Sequence, residues 1–397
     1  MPSKSSHSLT ILNAHIVPID GEAFDGGLVI KDGKISELGP KVKASRGSEV
    51  LDAAGQWLLP GFIDAHTHLG VHEEAEGSMG NDTNEMTDPI MAAVRAIDGI
   101  NPREMGFDDA LSGGITTVNV NPGSGNPVGG LAVALHTHGG YVDDMVLRNP
   151  SGLKAALGEN PKRVYGEKKQ TPSTRLGTAL VIRKAFQEAQ DYLSQPAKDR
   201  KGKDLKLEAL GMVLRREIPW RQHAHRADDI ATAVRIAEEF GYQLVLDHGT
   251  EAHLLAPLLA EKEIPVLIGP LFTSRSKMEL RNRSLANPGK LADAGVEISI
   301  ITDHPVVPIH FLVHQATLAI KEGLDRETAL RSITINPAKV LGLADRIGSL
   351  SVGKDADLVL WSGDPLDVMQ RANLVLIGGE PVYHYDQESR SGVVAPR

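Results

Sequence analysis

The stretch Pro60-Gly61-Phe62-Ile63-Asp64-Ala65-His66-Thr67-His68-Leu69-Gly70 is an apolar run that ends in a His-x-His pair. Side chains two apart on a strand point to one face, so His66 and His68 would project together and could grip one cation. Pro60-Gly61 marks a turn into the strand and Gly70 a turn out of it. Three later apolar runs end in groups of the same kind: Gln222-His223-Ala224-His225-Arg226, Leu246-Asp247-His248-Gly249-Thr250 and Ile301-Thr302-Asp303-His304-Pro305. A lone His at a strand end is ordinarily a hydrogen-bonding loop residue. Four such clusters, in a chain with 15 His and no Cys, point to a metal held by imidazole and carboxylate groups. Zinc is the first expectation, with manganese, iron and nickel as alternatives.

Further polar groups interrupt apolar surroundings. Lys154, in Gly152-Leu153-Lys154-Ala155-Ala156-Leu157, sits in a strand-like run where a plain ammonium is costly to bury, unless it lies on an edge or a helix. Glu159 follows in Gly158-Glu159-Asn160-Pro161. The stretch from Asn121 to Gly130 is too Pro-rich for a phosphate loop, and no Lys-Ser/Thr follows it; it reads as an active-site loop or as simple turn structure. His136 and His138 form a second His-x-His, read as loop residues or substrate contacts.

Elements that could position these groups are legible in the alternation of the chain. From Pro60 onward, strand-like runs (62–68, 115–120, 131–135, 152–157, 220–225, 243–248, 265–268 and 296–303) alternate with helix-like segments, most clearly at 227–240, 251–262 and 284–294. Eight such units over ~280 residues fit a (β/α)8 barrel, whose ligands sit at the C-terminal ends of the strands. A doubly wound open sheet is the alternative, but no Gly-rich phosphate loop supports it. Short strands and Asp-Gly or Gly-Pro turns precede residue 58 and return after 343. The expected class is α/β: a TIM-like barrel over 59–344 with a small β-sandwich built from both chain ends, 1–58 and 345–397. The Lys/Asp/Arg-rich run from Ala197 to Lys206 reads as a solvated connection between helices.

Composition narrows the function. The chain has 397 residues, 41% of them hydrophobic, which is ample for a large core. A net charge of −9 argues against a nucleic-acid footprint. No run approaches the ~18 apolar residues of a membrane span, and Met1 to Ser8 lacks the apolar core of a signal peptide. A cytoplasmic protein is expected, with self-association left open.

The chain resembles the amidohydrolase superfamily of metal-dependent hydrolases, within it the imidazolonepropionase-like group. Pro-Gly-Phe-Ile-Asp-Ala-His-Thr-His resembles the first-strand signature of that superfamily. The run from Gly348 to Val359 resembles the return to its small β-domain, and Thr334-Ile335-Asn336-Pro337-Ala338 the helix start before it. The resemblance implies one or two divalent ions. His66 and His68 would hold the first, and His223 and His248 the second, His223 being preferred to His225. Asp303 would bind metal and carry the proton. It further implies that Lys154, converted to a carbamate by CO2, bridges two metals, with Glu159 as a rival bridge. In a one-metal site His248 would instead touch the substrate. His225 and Arg226 could read a substrate carboxylate. The implied activity is hydrolysis of an amide-type C–N bond, linear or cyclic, in a small-molecule substrate, by a metal-activated hydroxide. Alternatives are deamination of a heterocycle or amidine at a one-metal site, and a non-catalytic scaffold.

Overall fold

A computed structural model describes residues 8–44, 47–196 and 202–397. Residues 1–7 and the start of the charged run at 197–206 lie outside them. Eight strands form one sheet in chain order: Phe62–Thr67, Ile115–Val120, Val128–His136, Val146–Ala156, Trp220–Ala224, Leu244–His248, Val266–Ile268 and Ile298–Ile300. The first, second and fifth to eighth are buried at every residue, as expected of strands covered on both faces.

One expectation of the barrel is corrected. The third strand runs antiparallel to both neighbours, and the remaining pairings are parallel. Only seven residues separate Val120 from Val128. A parallel return needs about a dozen residues or more, so this connection can only reverse the chain. The reversal sends the end of the third strand to the face opposite the other strand ends. His136 there contacts Asp357 at 3.0 Å, and His138 contacts the Ala395 carbonyl at 3.1 Å. Both therefore join the barrel to the C-terminal segment and do not face the strand-end clusters.

The outer helices are set by local signals. Ala227–Phe240 opens with Asp228 and Asp229 in its first turn, where the helix dipole favours negative charge, and stops at Gly241 in the left-handed conformation (φ 73°). Its Ile230, Ala233, Val234 and Ala237 recur at helical spacing and are buried. A short helical turn followed by Ala256–Glu261, and the helix Asn287–Asp293, occupy the other two expected segments. No described helix is long and apolar enough to cross a membrane.

A second sheet of nine strands takes five strands from residues 8–60 and four from 358–394. Its halves join where Trp57–Pro60 pairs antiparallel with Leu358–Trp361. This β-sandwich unit has its own core, including Leu9, Ile11, Leu28, Ile30, Leu58, Leu358 and Leu360.

Candidate metal centre

Strand pleat brings His66 and His68 to the same end of the barrel. The His68 Nδ1 stands 2.8 Å from the Asn121 carbonyl, which can only accept, so the proton sits on Nδ1 and Nε2 carries a bare lone pair. The His66 Nδ1 lies 3.0 Å from the Asp247 carboxylate, outside hydrogen-bond alignment, and that negative charge favours a proton on Nδ1. Both Nε2 atoms then face Asp303 Oδ1, each at 3.3 Å. Two lone pairs aimed at a carboxylate oxygen repel one another unless a cation lies among them. The ligand atoms of His66, His68 and Asp303 all lie within 4.8 Å of one another.

A second group stands beside the first. Ligand atoms of His223, His225 and His248 also lie within 4.8 Å of one another, and the His66 and His248 rings are 4.8 Å apart. The His248 Nδ1 is held by the Gly269 carbonyl at 3.0 Å, and the His225 Nδ1 by Thr250 Oγ1 at 2.8 Å. His223 is buried, and neither ring nitrogen finds a hydrogen-bond partner among the described residues. A buried imidazole left wholly unpaired fits a metal ligand better than a structural residue. Burial, reinforced by neighbouring imidazoles or Lys277, holds His223 and His225 well below the ordinary histidine value. Burial pushes His248 down to about 3. Neutral imidazole is the form that binds metal.

Backbone conformation helps to aim these groups. His248 and Asp303 both adopt left-handed φ, 75° and 54°. Such residues cost on the order of 1–3 kcal/mol and persist where the surroundings over-determine them.

Charge beneath the centre is balanced by residues that the sequence reading did not single out. Arg221 is fully buried in the fifth strand; its Nη2 donates to the Ala65 carbonyl at 2.6 Å and pairs with Asp247 at 3.3 Å. Burial would raise the Asp247 carboxyl, but Arg221 and His66 outweigh it and hold it far below the usual range. Lys154 is also fully buried, with Nζ 3.2 Å from His66 Nε2 and 3.9 Å from Asp247. Burial pushes its ammonium down to about 8. For Asp303, burial raises the carboxyl, while His248, His66 and His68 together hold it well below the ordinary value.

A cavity of about 290 Å³ opens onto both groups; His68, Lys154, His223, His225, His248 and Asp303 line it. Gly123 and Ser124 of the Gly/Pro-rich loop and Lys277 also line it. Arg226 and Glu159 do not. The Arg226 guanidinium is paired with Asp228 through two bonds of 2.9 and 2.8 Å, at the start of the helix Ala227–Phe240. Glu159 begins another helix, Glu159–Glu167, and its backbone N–H bonds Glu279 at 2.7 Å; the next residue, Asn160, lines the cavity in its stead. Besides Lys154, Lys277 brings a cation to the cavity, its Nζ 3.6 Å from the buried Glu279.

Known proteins share this architecture and sequence. A structure of an amidohydrolase from Thermotoga maritima MSB8 is 47% identical, with a TM-score of 0.92 over 95% of this chain and all of that one. An imidazolonepropionase from Stenotrophomonas maltophilia is 25% identical over 94% of each chain. An amidohydrolase from Hapsidospora irregularis, tasK, is 32% identical over 86% of this chain, which spans only 38% of that relative's length. The family model described as the amidohydrolase family matches residues 57–382. That match takes in the whole barrel and part of the terminal sheet, so the chain belongs to the amidohydrolase family and is a hydrolytic enzyme of C–N bonds.

Proposed function

We propose that the protein is a metal-dependent hydrolase that cleaves an amide-type bond, linear or cyclic, in a small acidic substrate such as an N-acyl amino acid or a dipeptide. The observation that carries this reading is the pair of abutting donor groups, His66/His68/Asp303 and His223/His225/His248, that share one cavity with buried Lys154. The first group would hold one divalent ion, zinc before manganese, iron or nickel, and His223 with His248 a second. Lys154, once carboxylated by CO2, would give both an anionic oxygen ligand in place of a cation.

Divalent ions so held supply Lewis acidity and lower the pKa of a bound water to about 7. The chain does the rest. Asp303 is held ionised at the cavity wall, where it accepts the proton given up by the attacking water and returns it to the leaving nitrogen. His225 orients the carbonyl end of the substrate; His248 would do so only in a one-metal site. Lys277, across the cavity, is the natural partner of a substrate carboxylate, and it takes the role that sequence alone suggested for Arg226.

Metal analysis paired with a hydrolysis screen over N-acyl amino acids, dipeptides and cyclic amides tests the proposal. Two equivalents of metal on the donor groups of this cavity, with amide cleavage, are expected. One equivalent on those groups, with ammonia release from a heterocycle, would replace it with the deaminase reading.

A further inference from the structure

We infer that Glu74, Glu104 and His304 form a further divalent-cation site, separate from the donor groups of the main cavity, that ties the segment after the first barrel strand to the end of the eighth. Their ligand atoms all lie within 4.8 Å of one another. His304 is fully buried, and neither ring nitrogen has a hydrogen-bond partner among the described residues. Glu104 is 4% exposed. Its Oε1 accepts from the backbone N–H of Gly106 at 2.9 Å and of Glu74 at 3.4 Å, but its Oε2 is unpartnered.

The orphaned atoms converge. A methyl group on Gly106 would stand 2.6 Å from Leu69 Cδ1, 2.8 Å from Glu104 Oε2 and 2.9 Å from His304 Nε2, so the two orphaned ligand atoms lie beside the same small space above that glycine, with Leu69 as its apolar wall. Each buried polar group left unpaired costs on the order of 1–3 kcal/mol, and a second carboxylate nearby adds repulsion. A bound cation removes all of these costs together. One imidazole and two carboxylates suit zinc or manganese better than calcium, which takes oxygen ligands.

The location gives such an ion work to do. His304 follows Asp303 directly, and its carbonyl accepts the His68 backbone N–H at 2.9 Å. Glu74 and Glu104 bracket the segment that carries Thr83 and Asn84 to the cavity wall, and His72, two residues before Glu74, lines the same wall. An ion here would hold that wall against the strand end that bears Asp303.

The test compares wild type with Glu104→Gln, each stripped with a chelator, reloaded with Zn2+ or Mn2+, desalted and analysed for metal. The variant should carry one equivalent per chain less than wild type and keep the rest, whether the main cavity holds one ion or two. Gly106→Ala should lose the same equivalent, because its methyl fills the converging space. Amide hydrogen exchange across residues 70–105 should slow on metal addition in wild type and not in Glu104→Gln. Equal metal content in the two proteins overturns the inference. So does loss of all metal from a folded Glu104→Gln protein, which would make Glu104 a support for the main cavity. Should Glu104→Gln fail to fold by circular dichroism, Glu74→Gln, on a partly exposed loop, takes its place with the same expectations.

Discussion

The Asp64 carboxylate bridges to Thr302 across the seam of the barrel. Asp64 Oδ2 accepts from the Thr302 backbone N–H at 3.0 Å and from Thr302 Oγ1 at 2.5 Å, while Oδ1 accepts from the His66 backbone N–H at 3.1 Å. The first and eighth strands are the two ends of the sheet order and share no ladder pairing. One buried side chain thus links the strand that presents His66 and His68 to the turn that presents Asp303. The geometry of the candidate centre is built into barrel closure.

Asp64→Asn should therefore weaken both fold and metal binding. An ionised carboxylate offers acceptors on both oxygens; an amide offers one oxygen and points donors at the other partners. At least one of His66 N–H, Thr302 N–H and Thr302 Oγ1 loses its acceptor in a buried place, at a cost of about 1–3 kcal/mol. Denaturant unfolding should show that loss, and metal titration should show weaker binding. Unchanged values for both would mean that the seam closes without Asp64.

Lys154 makes a prediction with a direction in pH. Carbamate formation consumes the neutral amine. With the ammonium pushed to about 8, the amine fraction in metal-free protein climbs as pH passes that value, so uptake of labelled bicarbonate should rise through pH 8. The same shift, from an ordinary 10.5, acts on stability. Below about pH 8 the buried ammonium carries its full cost, on the order of 3 kcal/mol. That cost fades as pH climbs toward the ordinary lysine range, because the unfolded chain then binds the extra proton. Metal-free Lys154→Met should thus melt above metal-free wild type at pH 7, and the gap should close at high pH. With metal and bicarbonate present, the order of activity should be the reverse, with the variant nearly inactive.

Lys277 and Arg226 separate by their surroundings. Lys277 lines the cavity, whereas the Arg226 guanidinium lies outside it, held through Nε and Nη2 by Asp228. Lys277→Met should raise KM for a substrate bearing a carboxylate by ten- to a hundredfold, the ~1.5–3 kcal/mol of a hydrogen bond to a charged group, with kcat little changed. The matching neutral amide should show no such change. Arg226→Gln should leave KM for both substrates as it was; a KM rise confined to Arg226→Gln would return the carboxylate contact to that residue.

The alternation of strand and helix made the barrel legible in the sequence, and the polar residues at strand ends made its clusters legible, which the structure gathers at one end; the choice of His66, His68, His223, His248 and Asp303 within them came from the family resemblance. Both signals are local, carried by spacings of two or three and a half residues. Strand direction is not local: the apolar run 131–135 reads alike in either sense, and only the short 121–127 connection betrays the reversal. Arg221 was overlooked, and Asp247 was read only as part of its strand-end cluster, because each looks like an interruption of an apolar strand. They make sense only as a pair, 26 positions apart. The Asn121 and Gly269 contacts come from backbone carbonyls, which no side-chain pattern records. Lys277 sits in a loop with no periodicity, and Glu104 and His304 meet across 200 residues of chain.

Asp303 is asked to do two things, and one substitution separates them. As a ligand it contributes negative charge beside His66 and His68; as proton carrier it must gain and lose a proton each turnover. Asparagine keeps the shape and one oxygen but cannot carry the proton. Asp303→Asn should lower kcat by about 10²–10⁴, the usual worth of a general acid–base group. Weaker metal binding would add to that loss, so metal content belongs in the same preparation. The neighbouring histidines hold the wild-type carboxyl well below its ordinary value, so it is ionised through the neutral range. Only acid strong enough to protonate it ends both tasks, and wild-type activity should fall on the acid side as it does so. In the variant, any remaining acid limb must come from protonation of the histidines and should follow metal release measured over the same pH range. A fully metallated Asp303→Asn enzyme that turns over its substrate at close to the wild-type rate would remove the proton-carrying role and leave Asp303 a ligand alone.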